Sequence, residues 1–527
     1  MSRRAVVLLV VLGAFLLGSL FRLWNLGPQV MSDDELHAVR AALGHPVSEI
    51  LVTYQRTDNT IPLTAIYRVL LDLGVKLSEW QVRLPIVISG LLLLAVAPLW
   101  AARRLGWRTA TVFAFLLAIS PGLVFYSRIA RSYAPIVLFG FGALAAFDAW
   151  WRKPDWRTGA AYVVLAALAA WFHLGAAPFV VSPFLFAGVD ALIRRDRRGF
   201  LRLMVLGVAT VLAFLAFLVP AWGSLTALVQ EKHGELHLTW EMVRDLGLLI
   251  AGSRLGWVAV LFGIAAAAGL ANLFRTDRRL AFLTVTAVLG HIAGLLYLAP
   301  IGHEHPLIAF RYVLVVLPWV LLWVARAPLK PVLAPLFLAL LLWAGPFLDL
   351  RLWRSSFSHH NDYMTFMWPR PEVGPRQVPD FYRTLADSKE PGAVLEYPWM
   401  AVWKVNRAFY LYQEVHGRQV VVAPARALLA DERLGFRNMV PGNPEGFLAS
   451  RARWLVVHRN LTQEEMKIPP IIQLDERFRS LFRTFGHNMV VQLYQAWGKP
   501  DYSDRRIAVW DLDRVRTPHP LAPSPIA

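Results

Sequence analysis

No cysteine occurs in the 527-residue chain. That excludes disulfides, thiolate metal sites, thiol redox chemistry and a cysteine nucleophile, so any part outside the cytoplasm must fold by packing alone. Charge is scarce as well. Only 17% of residues are Asp, Glu, Lys or Arg, against roughly a quarter in an average soluble protein, which excludes an ordinary soluble enzyme. Internal repeats of Gly/Pro-broken spans are also missing, which weighs against a secondary transporter. What remains is apolar: 56% hydrophobic residues, with 21 Trp and 30 Phe to meet lipid at many depths. The composition predicts a polytopic α-helical membrane protein.

Apolar runs of spanning length begin with Ala5 to Trp24, which follows Arg3 and Arg4 and has no small-residue cleavage site, so it reads as a retained first span. Further runs lie near 84–102, 109–126, 133–151, 159–172, 174–192, 201–222, 254–273, 280–300, 307–325 and 331–349, about eleven spans altogether. Alternate short connections carry eighteen Lys and Arg on one side and six on the other. The positive-inside rule assigns the basic side to the cytoplasm. Most of the formal charge of +18 then faces the anionic inner leaflet and reports membrane orientation, not a nucleic-acid partner.

An odd number of spans from a cytoplasmic N-terminus places everything after about Asp349 outside. There the chain turns more polar, with short β-rich runs at 393–395, 419–422, 454–457, 489–491 and 507–510, and helix- or turn-forming stretches at 431–436 and 464–467. The expected organisation is a transmembrane catalytic domain at 1–349 with a long first outer loop at 25–82. A C-terminal α/β extracytoplasmic domain at 350–515 and a disordered Pro-rich tail at 516–527 follow. The outer domain has no paired acids at catalytic spacing and reads as a lid or acceptor-recognition module.

The chemistry concentrates at the outer span ends. Asp33, Asp34 and Glu35 stand in a row before His37 just beyond the first span, where carboxylates are costly unless paired or used. The plainer reading is a hydrated loop with Asp33 capping a helix that starts at Glu35. In the next outer connection Arg128 and Arg131 stand three apart with Tyr133 nearby. On a helix they would share a face and hold a phosphate from two sides. Interfacial anchoring is the commoner use of such residues, but these arginines lie on the side where basic residues are otherwise few. Arg311 opens a span on that same side and is a third candidate phosphate contact. His173, His303 and His305 are candidates to line the cavity, and the last two, with Glu35 or His37, to hold a divalent metal, for which imidazole favours zinc over magnesium. A polar loop with ordinary histidines is the favoured reading of His303 and His305, a His satisfied by backbone carbonyls explains His173 equally well, and no cofactor is required.

The Asp-Glu pair after the first span, Arg83-Leu84-Pro85, the Ala-Arg-Arg-Leu-Gly turn at 102–106, and Ser120-Pro121 leading into Tyr-Ser-Arg-x-x-Arg-x-Tyr-Ala at 126–134 form one pattern. The pattern resembles the GT-C membrane glycosyltransferases, in particular the bacterial branch related to protein O-mannosyltransferases and the lipid A aminoarabinose transferase. It covers about residues 20–175. The resemblance implies a sugar donor carried on polyprenyl monophosphate, transfer on the extracytoplasmic face of the bacterial inner membrane, Asp34 as the catalytic carboxylate, and Arg128, Arg131 and Tyr133 near the donor phosphate. The acceptor would be a lipid, glycan or protein of the cell envelope. A glycosidase needs two carboxylates because its leaving alcohol must be protonated. A polyprenyl phosphate leaves as a stable anion, so one base plus cations suffices. The competing readings are a transporter or flippase of lipid-linked saccharides, which would place charges in mid-span, and a non-catalytic envelope assembly protein, which would leave Asp33, Asp34 and Glu35 unexplained.

Overall fold

The computed structural model describes residues 3–29, 33–54, 60–75, 77–234, 238–300, 306–349, 353, 378–397, 407–422, 444–448, 450, 452–459 and 476–516; of Asp33 and Asp34 it describes the backbone and not the side chains. His303, His305 and the stretches 431–436 and 464–467 lie outside the described residues.

Among the described residues seven helical segments are long and apolar enough to cross a membrane, from Glu79–Leu105 through Pro306–Ala325. Four shorter apolar helices, Val7–Leu23, Trp107–Ile119, Trp156–Phe172 and Leu333–Ala344, complete a set that matches the eleven expected runs one for one. The protein is thus a polytopic helical membrane protein with a small C-terminal sheet. Helix α1 (Arg3–Leu23) packs on α6 (Trp107–Ile119), which packs on α5 (Glu79–Leu105). The approach is close at Gly18, where a Cβ would come within 3.1 Å of Ala118. Helix α5 starts with a capping box in which the Ser78 N–H donates to Gln81 Oε1 at 3.0 Å.

The first outer loop is largely helical: α2 (Asp33–Gly44), α3 (Val47–Ile50) and α4 (Ile61–Asp72). Helix α2 starts at Asp33, two residues before the expected Glu35. The connection 127–132 between α7 (Pro121–Tyr126) and α8 (Tyr133–Arg152) is a non-helical turn, so Arg128 and Arg131 do not share a helix face. Ser120 and Pro121 break α6 from α7.

The C-terminal sheet has order β2-β1-β3-β5-β4, from β1 (Ala393–Tyr397), β2 (Val420–Val422), β3 (Ala452–His458), β4 (Tyr502–Ser503) and β5 (Ile507–Asp511). β1 is parallel to β2 and β3, and β5 is antiparallel to β3 and β4. The run at 489–491, expected to be a strand, lies instead within the helix Glu476–Trp497. Met489 and Leu493, four apart, are both wholly buried against this sheet with Leu395, Leu455 and Trp510, so helical burial overrides the β-branched local signal. The other sheet face carries Val394 and Val456 against Tyr382 and Tyr412, whose helices Asp380–Asp387 and Arg407–His416 cover it. Gln413 on the second helix donates to the carbonyl of Pro28 at 3.1 Å, fastening the sheet unit to the chain just after α1.

Candidate functional site

Helix α1 ends at Leu23, and Asn25 turns the chain away with a left-handed φ of 46°. A helix end leaves its last carbonyls without partners. Two wholly buried arginines supply them. Arg128 donates from Nη1 to Phe21 O at 2.9 Å and from Nη2 to Trp24 O at 2.7 Å. Arg83 donates from Nη1 to Leu26 O at 2.7 Å and Gln29 O at 2.8 Å. Cations at a helix C-terminus also meet the negative end of its dipole. Gln29 closes the arrangement: its Oε1 accepts from Arg128 Nε at 3.0 Å and its Nε2 donates to Arg128 O at 3.1 Å.

Glu35 is 1% exposed and is the anion of this network. Its Oε1 accepts from Arg83 Nε at 2.9 Å and its Oε2 from Arg83 Nη2 at 3.0 Å. The same Oε1 also accepts the N–H of Ala130 at 2.9 Å. Two consequences follow. Both carboxylate oxygens are engaged by the fold, as are all three nitrogens of the Arg128 guanidinium. The Glu35–Ala130 bond also joins the two motifs: Asp34 precedes one partner and Arg131 follows the other.

Arg131 itself is half-buried, as is Arg311 on α17 (Pro306–Val313). Both lie within electrostatic reach of His173 and of Tyr312. Ring contacts link the same place, with Tyr126 to Tyr133 at 5.0 Å, Tyr133 to His173 at 5.8 Å and His173 to Tyr312 at 5.8 Å. His173 accepts the N–H of Gly175 at 3.1 Å, capping the short turn before α10 (Ala177–Val181) and fixing its ring. His173 and Tyr312 then form part of the wall of a cavity of about 140 Å³, whose remaining lining includes Leu174, Leu228, Val229, Leu295 and Leu298. A cluster of cations and tyrosines thus abuts an apolar hollow.

His37, on α2, is half-buried. Among the described residues no group of three His, Asp or Glu could hold a metal ion, and Glu35, one of the expected ligands, has its oxygens committed to Arg83 and Ala130. Sequence reasoning quoted Arg83 as a motif and missed it as the partner of Glu35, although a charge at the start of an apolar span is a signal in itself. Gln29 and Tyr312 gave no local signal.

No protein-family model matches the sequence, and no curated protein matches it. Among solved structures, ArnT from Cupriavidus metallidurans in the apo state is similar at 16% identity over 97% of this chain and 98% of that one, with a TM-score of 0.50. ArnT from the same organism bound to undecaprenyl phosphate gives 17%, 96% and 98%, with a TM-score of 0.49. An oligosaccharyltransferase from Archaeoglobus fulgidus, in complex with Zn and sulfate, gives 14% identity over 85% of this chain and 67% of that one, with a TM-score of 0.40. The likeness to apo ArnT shows the fold: nearly the whole of this chain follows the architecture of that protein.

Proposed function

We propose that the protein is a membrane glycosyltransferase that moves a sugar from a polyprenyl-monophosphate donor to an acceptor hydroxyl at the outer face of a bacterial inner membrane. The observation that carries this reading is the meeting of Arg131, Arg311 and Tyr312 with an apolar cavity walled by His173 and Tyr312. A phosphate head on an isoprenoid tail asks for that combination, cations at one end and hydrocarbon at the other. The GT-C fold is consistent with it.

In this reading Arg131 and Arg311 hold the donor phosphate and Tyr133 borders it. Asp34 takes the proton of the acceptor hydroxyl, whose oxygen forms the new bond to the anomeric carbon. The bond from that carbon to the phosphate oxygen breaks, and its electron pair leaves with the polyprenyl phosphate, stabilised by the arginines. Glu35 and Arg128 position the two halves of the site. The C-terminal unit, 350–515, serves as lid or acceptor-recognition module, tied down through Gln413 and Pro28.

The test is turnover in proteoliposomes supplied with a polyprenyl-phosphate sugar, reading the release of polyprenyl phosphate. Asp34→Asn cannot accept a proton, and turnover should fall by about 10²–10⁴-fold while donor binding persists. Loss of donor binding without a separate effect on turnover would place the base elsewhere, with Asp33 the first alternative. A reporter fused after Asp349 should function only outside the cytoplasm.

A further inference from the structure

The sheet unit holds a second basic site, independent of the transferase reading. At the carboxyl end of β3, Arg459, Arg483, His487 and Arg505, with Thr484 and Asn488, line a hollow of about 410 Å³. We propose that this hollow binds a phosphate group, carried by a small phosphomonoester or by a lipid headgroup.

The hollow is built by the fold. Gly486 lets the helix Glu476–Trp497 ride directly on the end of β3: a Cβ there would lie 1.9 Å from the carbonyl oxygen of His458. That approach sets Arg483 and His487, four apart on one helix face, beside Arg459. Arg459 is braced from the other side, donating to Ser503 Oγ at 2.8 Å and Asp504 O at 3.2 Å, which fixes the β4–β5 turn that carries Arg505. Carboxyl ends of parallel strands are where open α/β sheets take their ligands.

The charge balance points to an anion. The carboxylate at hand, Asp504, is spent on its own turn: Oδ1 accepts the N–H groups of Arg506 and Ile507 at 2.6 and 2.8 Å, and Oδ2 the Tyr502 hydroxyl at 3.0 Å. Among the described residues that line it there is no carboxylate. Gathering three guanidiniums and an imidazole costs stability through like-charge repulsion, which a bound dianion reverses. Three planar forks with a hydroxyl and an amide offer more donors than the two oxygens of a carboxylate accept, and suit the three terminal oxygens of a phosphate.

The test is glucose 1-phosphate titrated into the full-length protein in phosphatidylcholine nanodiscs, followed by calorimetry, with glucose as the uncharged control. Binding should be saturable in the millimolar range or tighter and absent for glucose. Arg483→Gln with Arg505→Gln, both exposed and outside the packed core, should weaken it by about tenfold or more, the usual loss when charged hydrogen bonds are removed. Arg157→Gln, an exposed arginine outside both sites, should leave it unchanged. If phosphatidic acid in the discs suppresses the titration, a lipid headgroup reaches the hollow; if it does not, the soluble phosphomonoester is the ligand class. Absence of saturable binding, or equal affinity in the double variant and the parent, would overturn the proposal.

Discussion

The two ends of the helical bundle partner their arginines in opposite ways. At the end expected to be cytoplasmic, arginines meet carboxylates: Arg104 pairs with Asp148 at 3.0 Å and also with Asp277, Arg152 reaches Asp148 at 3.0 Å, and Arg194 reaches Asp190 at 2.6 Å. At the other end, Arg22, Arg83 and Arg128 are wholly buried and met mainly by backbone carbonyls, with Glu35 the carboxylate of their network. A carbonyl satisfies a donor without cancelling its charge. The first set consists of ion pairs; around the second, Arg131 and Arg311 stand beside an apolar cavity. The difference separates arginine paired with carboxylates from arginine held mainly by backbone carbonyls.

The sharpest way to break this contrast is Glu35→Gln. It leaves the Arg83 guanidinium buried without its counter-charge, a loss of about 3–5 kcal/mol. The protein should lose its folded, monodisperse form in detergent, as judged by size-exclusion chromatography and thermal unfolding; a variant that melts like the parent would show that the carbonyls alone suffice. Asp148→Asn at the opposite end removes the carboxylate shared by Arg104 and Arg152, leaving Arg104 with Asp277, and should cost about 1–3 kcal/mol of stability, with donor affinity unchanged. If Asp148→Asn weakened donor binding, the two ends would not be functionally distinct.

Arg131→Gln sharpens the comparison from the other side. It should lower affinity for a polyprenyl-phosphate donor by about tenfold while leaving the melting temperature in place, because Arg131 is half-buried and does not cap α1. The same pattern is expected for Arg311→Gln. A large stability loss in either would move these residues from ligand contact to scaffold.

The smallest effect is in the sheet unit. Burial, and secondarily Arg418, lowers the His416 pKa to about 3. The unfolded chain, with an ordinary histidine near 6.5, takes up a proton that the folded unit refuses. The stability from neutral His416 is therefore fully present above pH ~6.5 and is lost as pH falls from there toward 3, at up to about 1.4 kcal/mol per pH unit. Protection factors of the β1 and β3 amides, corrected for the intrinsic exchange rate at each pH, should fall between pH 7 and 5 in the parent and less in His416→Gln; identical pH dependence in both would assign the effect to other groups.

Much of the bundle was legible because the signal is local. A run of about twenty apolar residues must be helical in lipid whatever surrounds it, and each expected run has its helix in the structure. The strands at 393–397, 420–422, 452–458 and 507–511 were equally visible as β-branched runs. The run at 489–491 was not, because its conformation is set by what Met489 and Leu493 bury against, and a β-rich triplet carries no record of that.

The sequence by itself determined the solvent, the spans and the place where charge is unusual: carboxylates at 33–35 and arginines at 128 and 131, both beyond span ends. Only the tertiary structure decided which of these groups are committed. Arg128 and Arg131 are three residues apart and chemically identical, yet one reaches back about a hundred residues to the carbonyls of α1 and the other stands beside His173 and Tyr312. Glu35 and Asp34 are neighbours, yet the first is consumed by Arg83 and Ala130. The physical reason is that a hydrogen bond is a matter of a few ångströms and of direction, and partners separated by 48 to 107 positions meet only after the helices have packed.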